Sequence, residues 1–120
     1  IDAPTDAALF TYHQTGDPKG LEEAFHPEAL LQWAKDGQRQ VLTQAEWRKR
    51  AEAQQAAGKG KPRPEVRCQI VSLDITGDAA AAKVILDYPT FRFIDHMHLI
   101  RLQDGWKVVD KVYHRVEGRH

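Results

Sequence analysis

The second half of the chain alternates between apolar and polar side chains, which is the pattern of β-strands with one buried face. Three short turn sequences interrupt this pattern: Gly77-Asp78, Asp87-Tyr88-Pro89-Thr90 and Asp104-Gly105. They predict a long antiparallel meander with strands at residues 67–76, 79–88, 91–103 and 106–116. Strands near ten residues exceed the usual five or six, so we expect a strongly twisted and curved sheet.

The first half of the chain shows helical patterns and helix-ending residues instead. Residues 2–15 predict a helix that ends at Gly16, and residues 17–25 predict a short helix that ends before Pro27. Helices that precede an antiparallel meander are typical of an α+β fold, with the helices on one side of the sheet.

A short hairpin and a third helix follow. The runs ALLQWAK and RQVL flank Asp36-Gly37 and predict a hairpin over residues 29–42. Thr43, with Glu46 three residues later, has the spacing of a capping box. We therefore expect a helix that begins at Gln44 and ends before Gly58.

The last two strands carry the clearest functional signal. If Asp104-Gly105 is a two-residue turn, Gln103 faces Trp106, and Asp95 lies directly opposite His114. The less charged face of this hairpin is then the inner one, with Phe91, Phe93, Asp95, Met97, Leu99 and Arg101 opposite Trp106, Val108, Asp110, Val112 and His114.

Composition excludes several functional classes. The 120 residues predict one domain, 1–120, and 17 basic against 17 acidic residues give no net charge to attract nucleic acid or a membrane. No apolar run approaches the roughly 20 residues of a membrane span. A single cysteine, Cys68, excludes an internal disulfide and a multi-cysteine metal site. No leader is visible, so we expect a soluble and cytoplasmic protein.

Four segments together resemble a known family. They are AFHPEA at 24–29, LTQAEW at 42–47, SLDITGDAAAAKV at 72–84 and FIDHMHLIRLQDGWKVVDKVYH at 93–114. Their order is similar to the nuclear transport factor 2-like superfamily, and within it to the bacterial SnoaL-like group named "putative lumazine-binding". The resemblance covers nearly the whole chain.

The resemblance implies a cone-shaped α+β roll, in which a strongly curved, mostly antiparallel sheet wraps around three N-terminal helices. It implies a ligand cavity at the wide end and a homodimer packed through the sheets. Relatives with this fold include ketosteroid isomerases, polyketide cyclases, dehydratases and non-catalytic association modules, so fold alone does not assign an activity. No cofactor is expected.

Asp95 and His114 are the candidate catalytic pair. A carboxylate next to an imidazole fixes the tautomer of the ring and raises its basicity, which suits general acid–base chemistry. The alternative is a structural pair that joins the ends of two strands.

Other residues are candidates for binding rather than catalysis. We expect a cavity lined by Tyr12, Trp33, Trp47, Phe93, Met97 and Asp110. Asp110 needs a partner on an apolar face, and Arg101 is the candidate. His96 and His98 share a face, but the lysines and arginines beside them disfavour a metal, and we expect none. The outer face predicts a homodimer interface of Ile94, His96, His98, Ile100, Val109 and Tyr113.

Three functions remain open on this basis. The first is a small-molecule-binding protein with an apolar cavity. The second is a cofactor-independent enzyme of the isomerase or cyclase type that uses the Asp95–His114 pair. The third is a non-catalytic dimerisation module with a filled cavity.

Overall fold

A curved, unclosed sheet of six strands and three helices make up the computed structural model, which describes residues 3–4 and 9–118. The helices are α1 (Thr11–Thr15), α2 (Lys19–Ala24) and α3 (Gln44–Ala57). The strands are β1 (Phe25–Lys35), β2 (Gln38–Thr43), β3 (Arg67–Thr76), β4 (Ala79–Asp87), β5 (Phe91–Leu102) and β6 (Gly105–Glu117). This arrangement confirms the predicted α+β class.

The strands are ordered β2-β1-β6-β5-β4-β3. All neighbours are antiparallel except β1 and β6, which run parallel. Residue 2 and residues 5–8 of the first predicted helix lie outside the described residues.

Turn and cap residues in the first half act as expected. Asp36 and Gly37 both have positive φ, 52° and 75°, which is the requirement of the tight hairpin turn between β1 and β2. The backbone N–H of Glu46 donates to Thr43 Oγ1, and the backbone N–H of Thr43 donates to Glu46 Oε1, each at 3.1 Å. The capping box, and α3 behind it, are therefore confirmed. The second helix begins one residue later than Pro18, the expected first position.

The β3–β4 hairpin agrees with the prediction near its turn and departs from it further away. Leu73 pairs with Ala82 and Ile75 pairs with Ala80, as expected. Val84, however, pairs with Ile70, because Val71 is an extra residue in β3 that forms a β-bulge.

The predicted register of β5 and β6 is wrong. Leu102 pairs with Gly105, so the turn residues are Gln103 and Asp104, one position earlier than expected. Leu99 pairs with Val108 but His98 pairs with Asp110, which leaves Val109 as a bulge in β6.

The Val109 bulge reverses the two faces of β6. On the turn side of the bulge, Trp106 and Val108 are buried as predicted. Beyond it, the inner face carries Lys111 and Tyr113, while Val112 is exposed. The inner face of β5 is as predicted, with Asp95, Met97 and Leu99 fully buried.

Candidate functional site

A pocket of about 310 Å³ lies between α3 and the inner face of the sheet. It is lined by His13, Leu31, Leu42, Trp47, Arg50, Gln54, Phe93, Asp95, Lys111, Tyr113 and Arg115. Aromatic and aliphatic walls are present, but six of these eleven side chains are polar or charged. The expected apolar lining is therefore only part of the pocket.

A buried ion pair forms the floor of the pocket. Asp95 is 0% exposed and Lys111 is 3% exposed, and Lys111 Nζ lies 2.7 Å from Asp95 Oδ2. Burial raises the pKa of the Asp95 carboxyl, and the Lys111 ammonium opposes that increase. Two charges this far from water are stable only when each has good partners.

Lys111 has such partners on every side. Its Nζ lies 3.1 Å from His13 Nε2, and 4.8 Å from the centroid of the Trp47 ring. The rings of Phe25 and Tyr113 are each 5.9 Å from the same nitrogen. Aromatic faces attract a cation, so the ammonium group is enclosed by one carboxylate, one imidazole and three π-systems.

His13 is held neutral by this environment. Burial lowers the pKa of His13 well below its ordinary value, and the Lys111 and Arg63 cations lower it further. A neutral ring accepts from Lys111 at Nε2, so its proton is on Nδ1, which lies 2.9 Å from the Tyr88 hydroxyl. Arg63 also donates to the backbone oxygen of His13 at 3.0 Å, which fixes the end of α1.

One oxygen of the Asp95 carboxylate lacks a hydrogen-bond donor in the described chain. Oδ2 faces Lys111, whereas Oδ1 is buried and has no hydrogen-bond partner among residues 3–4 and 9–118. A buried acceptor without a donor costs about 1–3 kcal/mol. Asp95 is also one of the residues that line the pocket.

Two arginines lie at the exposed end of the pocket. Arg50 comes from α3 and Arg115 from β6, and both are exposed, in contrast to Asp95 and Lys111. Arg115 stacks over the Phe91 ring at 3.9 Å, and its Nε donates to Glu117 Oε1 at 2.6 Å. Burial and Asp95 raise the pKa of the Tyr113 phenol, while both arginines lower it.

The predicted Asp95–His114 pair is not formed. Asp95 lies opposite Tyr113, and His114 lies opposite Ile94 and is exposed, because the earlier turn shifts the pairing by two residues and the bulge at Val109 shifts it back by one. An acid–base mechanism that uses these two side chains together has no geometric basis here.

The predicted ligand-binding residues divide into three groups. Trp47 and Phe93 line the pocket. Tyr12 and Trp33 instead support its walls: Tyr12 meets Trp47 edge-on at 5.2 Å, and Trp33 stacks on Tyr113 at 5.2 Å. Met97 is buried in the core.

Asp110 was also expected in the cavity, paired with Arg101, and both expectations are wrong. The carboxylate Oδ1 of Asp110 lies 2.8 Å from His98 Nδ1, a side chain of the outer sheet face. Arg101 binds Asp78 at 2.6 Å. The bulge at Val109 is again the reason.

His13, Arg50, Lys111 and Arg115 were missed as site residues. A lysine within the apolar run of β6 is a signal that could have identified Lys111, because a lysine on an inner face requires a partner. His13 and Arg50 depend on how α1 and α3 dock on the sheet, which local patterns do not specify. Arg115 depends on the bulge at Val109, which turns the odd-numbered residues of β6 beyond it to the inner face.

The part of the chain that the structure describes holds no group of three or more His, Cys, Asp or Glu side chains arranged for a metal ion. None of the described helices is long and apolar enough to cross a membrane.

Several solved structures with this architecture are described as nuclear transport factor 2-like. A protein of this class and of unknown function from Silicibacter pomeroyi DSS-3 is 23% identical, with a TM-score of 0.72 over 90% of this chain and 87% of that chain. Another from Shewanella baltica OS155 is 25% identical, with a TM-score of 0.68 over 87% and 82%. A third, from Methylobacillus flagellatus KT, is 21% identical, with a TM-score of 0.67 over 92% and 84%.

Within this class, the sequence model of the family described as "Putative lumazine-binding" matches residues 6–114. The chain belongs to that family. No curated protein matches the chain significantly.

Proposed function

We propose that the protein binds a small organic molecule in the pocket between α3 and the inner face of the sheet. The observation that carries this proposal is Asp95, a fully buried carboxylate that lines the pocket and has one oxygen without a donor among the described residues. A bound molecule with an N–H or O–H group would satisfy that oxygen. Membership of a family described as "Putative lumazine-binding" supports the same class of function.

Lumazine is a reasonable first probe because the family description names it. Its flat ring system would pack against aromatic walls such as Trp47 and Phe93, and its ring N–H groups would serve as donors to Asp95. Benzoate, benzamide and benzylamine complete a small panel that spans negative, neutral and positive charge.

Blocking the pocket tests whether binding occurs there. We expect at least one probe of the panel, at millimolar concentration, to shift the NMR signals of pocket residues, including the Trp47 indole. Gln54→Trp places a large ring in the pocket from an exposed position of α3 and should weaken that binding at least about tenfold, since the space is filled.

Ala53→Trp is the matched control, because Ala53 is exposed on the same helix and does not line the pocket. It should leave the affinity within about twofold. The proposal fails if none of the four probes shifts the signals of pocket residues, or if both tryptophan variants weaken binding equally.

We further propose a homodimer that packs through the outer sheet face. The expected set of interface residues needs two changes, since Tyr113 lines the pocket and Val109 is the bulge residue. Ile100 and Val112 support the proposal, because they expose 41% and 48% of their surface on the central strands. Apolar groups concentrated on one face favour association.

Light scattering over a range of protein concentrations tests the dimer. We expect a dimer in the micromolar range for the natural chain and a monomer for Val112→Lys, because a buried lysine at an interface centre is strongly unfavourable. Ala53→Lys, at an exposed position of α3 on the other side of the sheet, should remain dimeric. A natural chain that stays monomeric at every concentration would rule the interface out.

A further inference from the structure

The pocket is locally positive although the whole chain is neutral. The sequence has 17 basic and 17 acidic residues, but the pocket lining contains Arg50, Lys111 and Arg115 against Asp95 alone. Lys111 is neutralised by Asp95, and His13 carries no charge. The remaining positive charge therefore comes from the two arginines at the exposed end.

Of these two arginines, Arg50 has fewer partners within the described chain. Arg48, two residues earlier on α3, binds Glu22 at 2.6 Å and lies 3.6 Å from Glu52. Arg50 has no acidic partner within 4.0 Å among the described residues, although it is a lining residue of the pocket. A guanidinium group without an acidic partner is suited to a planar anion, which it can bind with two parallel hydrogen bonds.

Arg115, in contrast, has partners within the chain. Glu117 and the Phe91 ring hold its side chain in place, so that its charge is partly balanced and its position is fixed. It contributes positive potential to the exposed end of the pocket, while Arg50 supplies the donor that is not used elsewhere in the described chain. The two ends of the pocket thus suit different ligand groups. The arginines need a hydrogen-bond acceptor, and Asp95 needs a hydrogen-bond donor.

We infer that the pocket selects a small organic anion, a carboxylate that carries a hydroxyl or N–H donor at its other end. Its carboxylate would bind Arg50 at the exposed end, its donor would reach Asp95 Oδ1 at the floor, and a flat apolar middle would pack against Trp47, Phe93 and Tyr113. This inference rests on the proposed small-molecule-binding function and adds the chemical class and orientation of the ligand.

Pairs of acids and amides test the anion. The probes are 4-hydroxybenzoate and 4-hydroxyphenylacetate, which differ in length, and the two corresponding amides, which have the same shape without the charge. By titration calorimetry, we expect the better acid to bind at least about tenfold more tightly than its amide, since charge-assisted hydrogen bonds are roughly twice as strong as neutral ones.

Arg50→Gln locates the anion. It should weaken binding of the better acid about tenfold and change binding of its amide less than twofold. Lys49→Gln is the matched control: it removes the same charge from a neighbouring exposed position of α3 that does not line the pocket, and it should change neither affinity more than twofold. Both variants are on the helix surface, so folding is preserved.

The donor end is tested on the ligand side, which avoids changing a buried charge. Benzoate and phenylacetate lack the 4-hydroxyl group and should bind at least about fivefold more weakly than the hydroxylated acids. Equal affinities with and without the hydroxyl would overturn the assignment of the donor to Asp95.

The remaining outcomes separate this inference from the proposed function. Amides that bind as tightly as the acids, or acids that are indifferent to Arg50→Gln, would overturn the anion assignment and leave small-molecule binding intact. Failure of every acid and every amide to bind would overturn this inference alone if lumazine or benzylamine still shifts the signals of pocket residues, and would overturn both proposals if those two probes fail as well.

Discussion

Lys111→Met is expected to lower the free energy of unfolding by about 3–5 kcal/mol, which is the usual cost of removing one member of a buried ion pair. The variant retains the length and apolar stem of the lysine but leaves Asp95 without its cation. Asp95 is 0% exposed, and its Oδ1 already has no donor in the described chain, so neither oxygen of the carboxylate would have a charged partner. Urea unfolding followed by circular dichroism measures the change.

The double variant Asp95→Leu, Lys111→Met provides the internal check. Replacing both charges with apolar side chains of similar volume should recover most of the lost stability, because neither charge is then buried alone. Lys83→Met is the external control, since Lys83 lies on β4 opposite the exposed His96 and away from the pocket. A loss below about 1 kcal/mol for Lys111→Met would mean that water reaches Asp95 readily, and the buried ion pair would not be a source of stability.

The second large effect is a loss of stability as the pH falls. Burial and two nearby cations hold the pKa of His13 well below 6.5, its ordinary value. Below about pH 6.5 the unfolded chain therefore binds a proton at His13 that the folded chain does not bind. Unfolding is thus favoured as the pH decreases through about 6.5. The slope for one proton approaches about 1.4 kcal/mol per pH unit as the pH falls below 6.5.

Asp95 acts in the opposite direction. Its pKa is raised above 3.8, so its contribution favours the folded state at low pH and is lost as the pH rises through the folded value. The stability carried by the neutral His13 is fully present above pH 6.5. We therefore expect the steepest loss between about pH 6.5 and pH 5, and a smaller slope where Asp95 begins to compensate.

His13→Gln isolates the effect. Glutamine retains a polar side chain near Lys111 but does not titrate, so the slope between pH 6.5 and pH 5 should decrease by about one proton relative to the natural chain. His96→Gln removes an exposed histidine of the outer face and should leave the slope unchanged. Equal slopes for the natural chain and His13→Gln would show that His13 is not held neutral.

Local chemistry made much of the fold predictable. The turn between β1 and β2 requires two residues with positive φ, which Asp36-Gly37 provides, and Thr43 with Glu46 satisfies the first N–H groups of α3. The turn and the start of the helix could therefore each be predicted from a few residues. The register of β5 and β6 could not be read in this way. A bulge such as Val109 costs little and has no fixed sequence, yet it changes the partner of every residue beyond it.

The sequence predicted only those pocket residues whose position is decided by burial alone. Trp47 and Phe93 are large apolar side chains on inner faces, and they line the pocket as expected. Asp95 was placed correctly on the inner face, but its predicted partner was wrong: the residue opposite it is Tyr113 instead of His114, and the ion pair is formed with Lys111. His13 and Arg50 come from helices whose docking depends on long-range packing, for which a short pattern contains no information.

The bulge at Val109 also means that β6 carries two alternating patterns that are out of phase. Even-numbered residues such as Val108 face the helices before the bulge, and odd-numbered residues such as Lys111 face them after it. A relative that kept the same number of residues but formed a regular strand without the bulge would present the residues at positions 110 and 114 to its pocket. An alignment that is wrong by one gap at this point would exchange the interior and exterior of the strand, and it would transfer the wrong residues between proteins that share the fold.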